Sequence, residues 1–293
     1  MPEKILRIVN LSVTYNNFTL DRIMFELNEG EVLGIAGANG SGKTTLVETI
    51  AGIRRFDCGE ISYRGTKLGK DWRILKSNML IISLDIPFFN NLSVFENLEL
   101  VSNFLPRKYA EQEILEKLKL VGLSGSEKTL YTELSRGMKQ RLAFAEYFLR
   151  QPEFVIMDEP TEGLDPASKS DIMGIFKSIK EGKGLSKSAI IISHDLDLLS
   201  TVCTNILMLS NGKIVDKGSY KEIIERFQEK FIIVNADIQT IGMHINDLSK
   251  ISCVSVGLNS SMVPSDYAGR LLSEGFEIRK PEPHDIFRRD DYV

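Results

Sequence analysis

The 293-residue chain has few cysteines, no excess of basic charge and no long apolar run. Its three cysteines, Cys58, Cys203 and Cys253, form no C-x-x-C pair, so the sequence suggests neither a zinc site nor a disulfide framework. The 36 basic residues are outnumbered by 40 acidic ones, which gives a formal net charge of −4 and argues against a nucleic-acid partner. No run of about eighteen apolar residues occurs, so we expect neither a membrane span nor a signal peptide.

A glycine-rich loop lies between a predicted strand and a predicted helix. The loop Gly37-Ala-Asn-Gly-Ser-Gly-Lys-Thr fits the pattern G-x-x-x-x-G-K-[ST], after the apolar run Glu31–Ala36 and before the helical spacing of Lys43–Ile53. Such glycines let successive backbone N–H groups point at phosphate oxygens, and the following helix adds its positive N-terminal end. The alternative is a chance glycine-rich turn. The pattern predicts a nucleotide-phosphate site whose residues are Gly37, Asn39, Gly40, Ser41, Gly42, Lys43, Thr44 and Thr45.

The two polar roles within this loop belong to adjacent residues. Lys43 would bring a mobile ammonium to the β- and γ-phosphates, and the Thr44 hydroxyl would ligate Mg²⁺.

A second predicted strand, Phe154–Met157, ends in two carboxylates. Asp158 would hold the metal, and Glu159 would orient and polarise the attacking water. The alternative is a buried strand that merely exits into acidic residues at the surface.

Further motifs lie between the two halves of the site and after them. Leu134–Arg141 reads LSRGMKQR, which resembles the signature motif of ATP-binding cassette proteins. Gly163–Pro166 resembles the D-loop, Ile192–Asp195 resembles the switch-histidine segment, and Tyr15 occupies the position of an aromatic that stacks on adenine. Together with the phosphate loop, these motifs follow the family's order over about residues 5–220. The chain resembles the ATP-binding subunit of an ATP-binding cassette transporter. The GMKQR continuation of the signature is similar to that of the drug- and antibiotic-exporter type.

The resemblance implies an α/β fold. It comprises a P-loop NTPase (RecA-like) core with an antiparallel β subdomain and a helical subdomain, plus a small C-terminal α+β appendage. We expect the ATPase domain at residues 1–230, its helical subdomain at about residues 85–150 and the appendage at residues 231–293. The segment Lys280–Phe287 is similar to the tail of exporter-type subunits.

The resemblance also implies roles for single residues. Ser135 and Gly137 would touch the γ-phosphate of ATP held by a second copy, with Asp165 at the same interface. His194 would contact the γ-phosphate and the water, and Tyr15 would stack on the base. From the residues alone, Ser135 is equally a helix N-cap, His194 a packed or solvated histidine, and Tyr15 a strand residue packed on its neighbour. The implied ligands are ATP and Mg²⁺.

The chain departs from the family pattern in two places. In the signature, Arg136 replaces the first glycine and Met138 replaces the glutamine. Where relatives carry a glutamine after the strand that begins at Met79, this chain has Leu84-Asp85, which puts the usual contact between metal and helical subdomain in doubt. The segment Ile86–Phe89 follows, and its phenylalanines are candidates either for the core of the subdomain or for docking a membrane subunit.

The hypothesis is therefore an ATPase that forms a homodimer around two ATP molecules and drives a separate membrane permease, with export expected. It would lie in the cytoplasm, peripheral to the inner face of the membrane. One alternative is a soluble cassette ATPase that acts on macromolecules, as in translation or repair. The other is a regulatory ATP-binding protein with little turnover, which the missing glutamine would favour.

Overall fold

The structure is a computed structural model that describes residues 3–68, 72–83, 88–161, 164, 166–181, 183–244, 253–257, 260–282 and 285. Several positions of interest from the sequence lie outside these residues. They are Leu84, Asp85, Gly163, Asp165 and His284.

A six-stranded sheet forms the centre of the molecule. Its order is β10-β9-β3-β8-β7-β6, and neighbouring strands run parallel except for the antiparallel pair at the β10 edge. The strands are β3 (Val32–Ala36), β6 (Met79–Ile82), β7 (Phe154–Asp158), β8 (Ser188–Ile192), β9 (Asn205–Ser210) and β10 (Lys213–Gly218). Alternate residues of β7 enter different cores, Val155 and Met157 on one face and Phe154 and Ile156 on the other. Burial on both faces explains why these strands read as continuous apolar runs.

An antiparallel sheet covers one of those cores. Its order is β2-β1-β4-β5, with β1 (Lys4–Tyr15), β2 (Phe18–Asn28), β4 (Cys58–Tyr63) and β5 (Thr66–Lys67). Helix α1 (Lys43–Ile50) lies in the same apolar cluster as β1 and β2, through residues such as Leu46 and Ile50. This sheet is the antiparallel β subdomain that the resemblance implied.

The helices divide between the sheet and a helical region. They are α2 (Arg73–Asn78), α3 (Val94–Asn103), α4 (Glu111–Leu120), α5 (Arg136–Arg150), α6 (Pro166–Lys180) and α7 (Leu196–Val202). Helix α3 begins with a capping box in which the Ser93 hydroxyl accepts from the Glu96 N–H at 3.2 Å and Glu96 Oε2 accepts from the Ser93 N–H at 2.7 Å. Phe88 is buried against Tyr131, with ring centroids 5.5 Å apart, whereas Phe89 is 56% exposed. One phenylalanine is thus core and the other is available for docking.

The C-terminal part alternates strands and helices as βαββαβ. After α8 (Tyr220–Lys230) come β11 (Phe231–Val234), α9 (Ile238–His244), β12 (Val254–Gly257), β13 (Ser260–Pro264), α10 (Ala268–Ser273) and β14 (Ile278–Arg279). The strand order is β12-β13-β11-β14. Ile232 and Val263 pack in a small core with Leu271 of α10, while Ile233 and Met262 join the main core. The sheet is therefore continuous with the body of the protein through one face.

One element bound differs from expectation. Helix α1 ends at Ile50, and Ile53, which the apolar spacing had placed on its buried side, is 69% exposed. The reason is Gly52, whose φ of +64° belongs to the left-handed region that ends a helix. Helix α6 begins at Pro166, and proline suits the first turn of a helix. None of the helices among the described residues is long and apolar enough to cross a membrane.

Candidate functional site

The phosphate loop joins the end of β3 to the start of α1 in a tight glycine conformation. Gly40 and Gly42 have φ values of +84° and +107°, which side chains rarely adopt. At Gly37 the constraint is space, because a Cβ there would lie 2.2 Å from the carbonyl oxygen of Leu209 in β9. The loop therefore needs its glycines, and helix α1 directs its N-terminal N–H groups to the same place.

Lys43 opens helix α1 and folds back over the loop. Its Nζ donates to the carbonyl oxygens of Gly37 at 2.6 Å and Ala38 at 2.8 Å. Burial lowers the pKa of Lys43, while the nearby carboxylates of Glu159 and Asp158 act to raise it. The ammonium is thus held at the mouth of the loop by acceptors that a phosphate oxygen can replace.

The two carboxylates lie at the end of β7, where Asp158 is the last residue of the strand and Glu159 contacts the residues that follow β8. The Glu159 N–H donates to the carbonyl of Ile192 at 2.9 Å, and Glu159 itself has a φ of +46°. Its carboxylate accepts from the Ser193 hydroxyl at 2.9 Å and from the backbone N–H of His194 at 3.0 Å. An amino acid other than glycine in left-handed backbone costs free energy and is frequent at functional sites. The carboxylate is held in one place by its neighbours.

His194 makes a further contact with the same carboxylate. Its Nδ1 lies 2.7 Å from Glu159 Oε1, and the imidazole side chain is 61% exposed whereas the Glu159 side chain is 20% exposed. A carboxylate oxygen only accepts, so this contact places a hydrogen on Nδ1. His194 is therefore a partner of Glu159 and is open to solvent, which excludes the alternative of a packed core histidine.

A cleft of about 480 Å³ gathers most of the expected site. The residues expected from the sequence that line it are Tyr15, Asn39, Gly40, Gly42, Lys43, Thr44, Thr45, Asp158 and Glu159. Ser41 belongs to the same loop but is buried. Sequence reasoning missed Phe18, which lines the cleft and pairs with Tyr15 across the β1–β2 turn. Its ring lies 2.6 Å from where a Cβ on Gly42 would stand, so it packs on the loop.

The oxygens in this cleft fit a magnesium ion. The Thr44 hydroxyl and the Asp158 carboxylate line the same space, and Mg²⁺ prefers oxygen ligands. It is usually bound through one or two carboxylates together with phosphates and waters. No cluster of three or more metal-ligating side chains occurs in the part of the chain that the structure describes. The cleft thus offers two side chains with the oxygen ligands that a Mg²⁺ bound to nucleotide phosphates would use.

Ser135 and Gly137 lie at the start of α5, and neither lines the cleft. Ser135 is the N-cap of this helix and its hydroxyl accepts from the Met138 N–H at 3.3 Å, yet its side chain stays exposed. Among the described residues, a Cβ on Gly137 would meet nothing closer than Leu164 at 3.8 Å. The exposed start of α5 is therefore separate from the cleft of its own chain.

Gln140 makes a buried hydrogen bond near the site that sequence reasoning did not identify. It lies on α5, is 2% exposed, and its amide Nε2 donates to the carbonyl of Pro160 at 3.3 Å. Pro160 follows Glu159 directly. The signature helix is therefore joined by a buried hydrogen bond to the segment that carries the carboxylates.

Comparisons with known proteins agree on one family. A family model described as ABC transporter matches residues 20–162. The energy-coupling factor transporter ATP-binding protein EcfA1 of Streptococcus mutans is 32% identical over 237 residues, 78% of this chain and 84% of that protein. The methionine import ATP-binding protein MetN 1 of Oenococcus oeni is 27% identical over 286 residues, 92% of this chain and 81% of that protein.

Solved structures show the same likeness. The ATP binding subunit of an ABC transporter superposes with a TM-score of 0.68 at 25% identity, over 76% of this chain and 93% of that one. CbiO1 from Clostridium perfringens, part of the ABC transporter complex CbiONQ, gives a TM-score of 0.64 at 26% identity, over 85% of this chain and 98% of that one. The expected P-loop NTPase fold is confirmed.

Proposed function

The chain belongs to the ABC transporter family of ATP-binding proteins and is an ATPase, and we propose that it pairs with a second copy around two ATP molecules to power a separate membrane permease. The observation that carries this proposal is the single cleft in which Lys43, Thr44, Asp158 and Glu159 meet. It brings together the groups that grip phosphate, hold a metal and orient water. The family resemblance read from the motifs is confirmed, and the roles of single residues are proposals.

Phosphate binding begins with the loop Gly37–Thr45. Its N–H groups and the N-terminus of α1 bind the phosphate oxygens, and Lys43 exchanges the carbonyls of Gly37 and Ala38 for the β- and γ-phosphates. Thr44 and Asp158 would hold Mg²⁺, which would neutralise charge on the phosphates. Binding thus replaces contacts within the loop by contacts to the ligand.

Hydrolysis depends on Glu159. The hydrogen bonds from Ser193 and His194 hold its carboxylate, so it can orient a water and take up its proton without moving. We assign His194 to two tasks: its Nδ1–H fixes Glu159, and its ring contacts the γ-phosphate. Tyr15, 49% exposed at the edge of the cleft, takes the adenine base.

The second copy completes the site. Ser135 and Gly137 lie at the exposed start of α5 and do not face the cleft of their own chain. In a head-to-tail homodimer they bind the γ-phosphate held by the partner, with Asp165 at the same interface. Hydrolysis per molecule should therefore rise with protein concentration, because an isolated copy has only half of each site.

The permease is the second proposed partner. Phe89 is 56% exposed directly before the helical region, where a membrane subunit can contact it. Such docking places the protein at the cytoplasmic face of the membrane. The contribution of Leu84-Asp85 to this coupling stays a prediction.

The direction of transport depends on the permease. The prediction of export rests on the GMKQR continuation, and the relatives do not support it, because their names describe methionine import and an energy-coupling factor transporter. We propose coupling to a permease without extending the proposal to export. Reconstitution of the complex in vesicles, with ATP supplied outside, distinguishes uptake from release.

The experiment that tests the proposed function combines two measurements on the full chain. ATPase rate per molecule is measured on the purified chain across a hundredfold range of protein concentration, and in a separate preparation the chain is isolated from membranes together with its bound partners. We expect the rate to rise with concentration and an integral-membrane protein to co-purify. A rate independent of concentration would contradict the homodimer, and recovery only with ribosomes or DNA would contradict the permease.

A further inference from the structure

An arginine lies on the aromatic ring at the edge of the nucleotide cleft. The Cζ atom of Arg54 stands 3.9 Å from the centroid of the Tyr15 ring, within the range of a cation–π contact. Tyr15 is the last residue of β1 and remains 49% exposed. Arg54 comes from a different part of the chain, just after α1.

The position of Arg54 is set by Glu48 in α1. Glu48 Oε2 accepts from Arg54 Nε at 2.9 Å and from Nη2 at 2.6 Å, and the Arg54 backbone N–H donates to the Glu48 carbonyl at 3.0 Å. The Arg54 side chain is 23% exposed. A planar guanidinium held along two of its N–H bonds loses most of its rotational freedom, so it can support a ring in a fixed orientation.

The two faces of the Tyr15 ring have different environments. Tyr15 and Phe18 line the cleft, whereas Arg54 does not. The guanidinium covers one face of the ring, so a base that stacks on Tyr15 would have to use the opposite face. A purine base that stacks on Tyr15 would complete a three-layer stack of base, phenol ring and guanidinium.

Helix α1 carries both the residues of the phosphate site and the anchor of Arg54. Lys43 and Thr44, at the start of α1, line the cleft, and Glu48 on the next turn holds Arg54 against Tyr15. A rigid helix therefore links the position of Arg54 to that of the phosphate loop.

We propose that Arg54 is a positioning residue for the nucleotide base, acting through Tyr15 and anchored by Glu48. The inference rests on the proposed function, in which Tyr15 stacks on adenine. Arg54 touches neither phosphate nor water in this scheme, so it contributes to affinity for nucleotides that carry a base and leaves the chemical step unchanged.

The test compares ATP with inorganic tripolyphosphate, which has the same kind of phosphate chain and no base. For Arg54→Ala we expect the Kd for ATP and the KM to rise about three- to tenfold, with kcat and the Kd for tripolyphosphate unchanged. The matched control is Arg55→Ala, which removes the same charge from the exposed neighbouring residue and should leave both Kd values unchanged. Glu48→Gln, which leaves Arg54 in the chain but weakens its anchor, should raise the Kd for ATP in the same direction.

A double-mutant cycle links the effect to the ring. In a Tyr15→Ala background, Arg54→Ala should have no further effect on ATP affinity, because the ring through which it acts is gone. Equal loss of affinity for ATP and tripolyphosphate would show a general charge effect and overturn the inference. An unchanged Kd for ATP in Arg54→Ala, with the wild type binding normally, would also overturn it. Failure of the wild type to bind ATP would instead overturn the proposed function.

Discussion

Replacing Glu159 by glutamine separates the chemical role of the carboxylate from its structural role. In the structure, Oε1 accepts from the backbone N–H and Nδ1 of His194, and Oε2 accepts from the Ser193 hydroxyl. A glutamine oxygen in the place of Oε1 keeps both contacts to His194. Its amide nitrogen then faces the Ser193 oxygen, which already accepts from the Asp195 N–H at 3.0 Å.

The structural cost of Glu159→Gln is consequently small and the catalytic cost is large. One rearranged hydrogen bond is worth about 1 kcal/mol, which shifts the melting temperature of a 293-residue chain by about 2 °C. Loss of a positioned general base slows the chemical step by about 10²- to 10⁴-fold, or roughly 2.7 to 5.4 kcal/mol in activation free energy. ATP affinity should remain, because the phosphate loop and Lys43 are unchanged, and the ATP-bound dimer should accumulate.

The assay is phosphate release at saturating ATP, with ATP affinity and melting temperature measured on the same preparation. Glu181→Gln makes the same chemical change at an exposed carboxylate after α6 and should have wild-type activity. His194→Ala removes one contact to Glu159 but keeps the carboxylate, so its loss of rate should be smaller. If Glu159→Gln retains more than about a tenth of the wild-type rate, or if His194→Ala is the more severe change, the assignment of the base to Glu159 is wrong.

Three further predictions concern glycine contacts and pH. Gly37→Ala should abolish ATP binding, since its Cβ would stand 2.2 Å from a backbone oxygen, whereas Gly174→Ala, with open space on α6, should be neutral or slightly stabilising in calorimetry. Gly137→Ala should leave stability and ATP affinity unchanged but remove the rise in ATPase rate with protein concentration; an unchanged concentration dependence would contradict the role of Gly137 at the dimer interface. The Arg64 guanidinium holds the pKa of Glu153 at about 2, below its ordinary value of 4.5, so this carboxylate stabilises the fold above pH 4.5 and loses that contribution as pH falls toward 2. Discounted for partial exposure, the contribution is about 2 kcal/mol, and Glu153→Gln should flatten the decline of melting temperature between pH 5 and pH 3; an equally steep decline would refute it.

Local patterns in the sequence were sufficient to predict the parts of the site that lie within one strand–loop–helix unit. The apolar strand before Gly37, the helix at Lys43 and the strand before Asp158 are short-range features, and the structure has each of them. The same holds for Ser135 as an N-cap, because a serine at the start of a helical pattern satisfies an N–H that would otherwise lack a partner.

Contacts between distant segments could not be predicted in the same way. The hydrogen bonds from Ser193 and His194 to Glu159 join residues more than thirty positions apart, and they exist because β8 lies beside β7 in the sheet. Buried apolar strands carry no signal for their order, so the sequence did not predict which strands are neighbours. The contact of Arg54 with the Tyr15 ring and the hydrogen bond from Gln140 to the Pro160 carbonyl also join distant segments, and the sequence did not predict them.

The strand order explains why the carboxylates meet the phosphate loop at all. Parallel pairing aligns Ile192 with both Ile35 in β3 and Asp158 in β7. The loop after β3, the two carboxylates at the end of β7 and His194 after β8 therefore all lie at the carboxyl ends of the parallel strands. Ser135 starts a helix that is not part of this sheet, and its side chain is exposed.

The glycine at position 137 bears on whether a second copy contacts the start of α5. Gly37 is needed by this chain's own backbone, because a Cβ would collide with Leu209. Gly137 has no left-handed φ, and among the described residues a Cβ there would have 3.8 Å of clearance to its nearest neighbour, Leu164. Packing against the described part of the chain therefore gives no reason for a glycine at the start of α5. A reason arises if something approaches this backbone closely from outside, as the phosphate of ATP bound to a second copy would. On this argument the helix start is one half of a site whose other half, the phosphate loop, belongs to the partner.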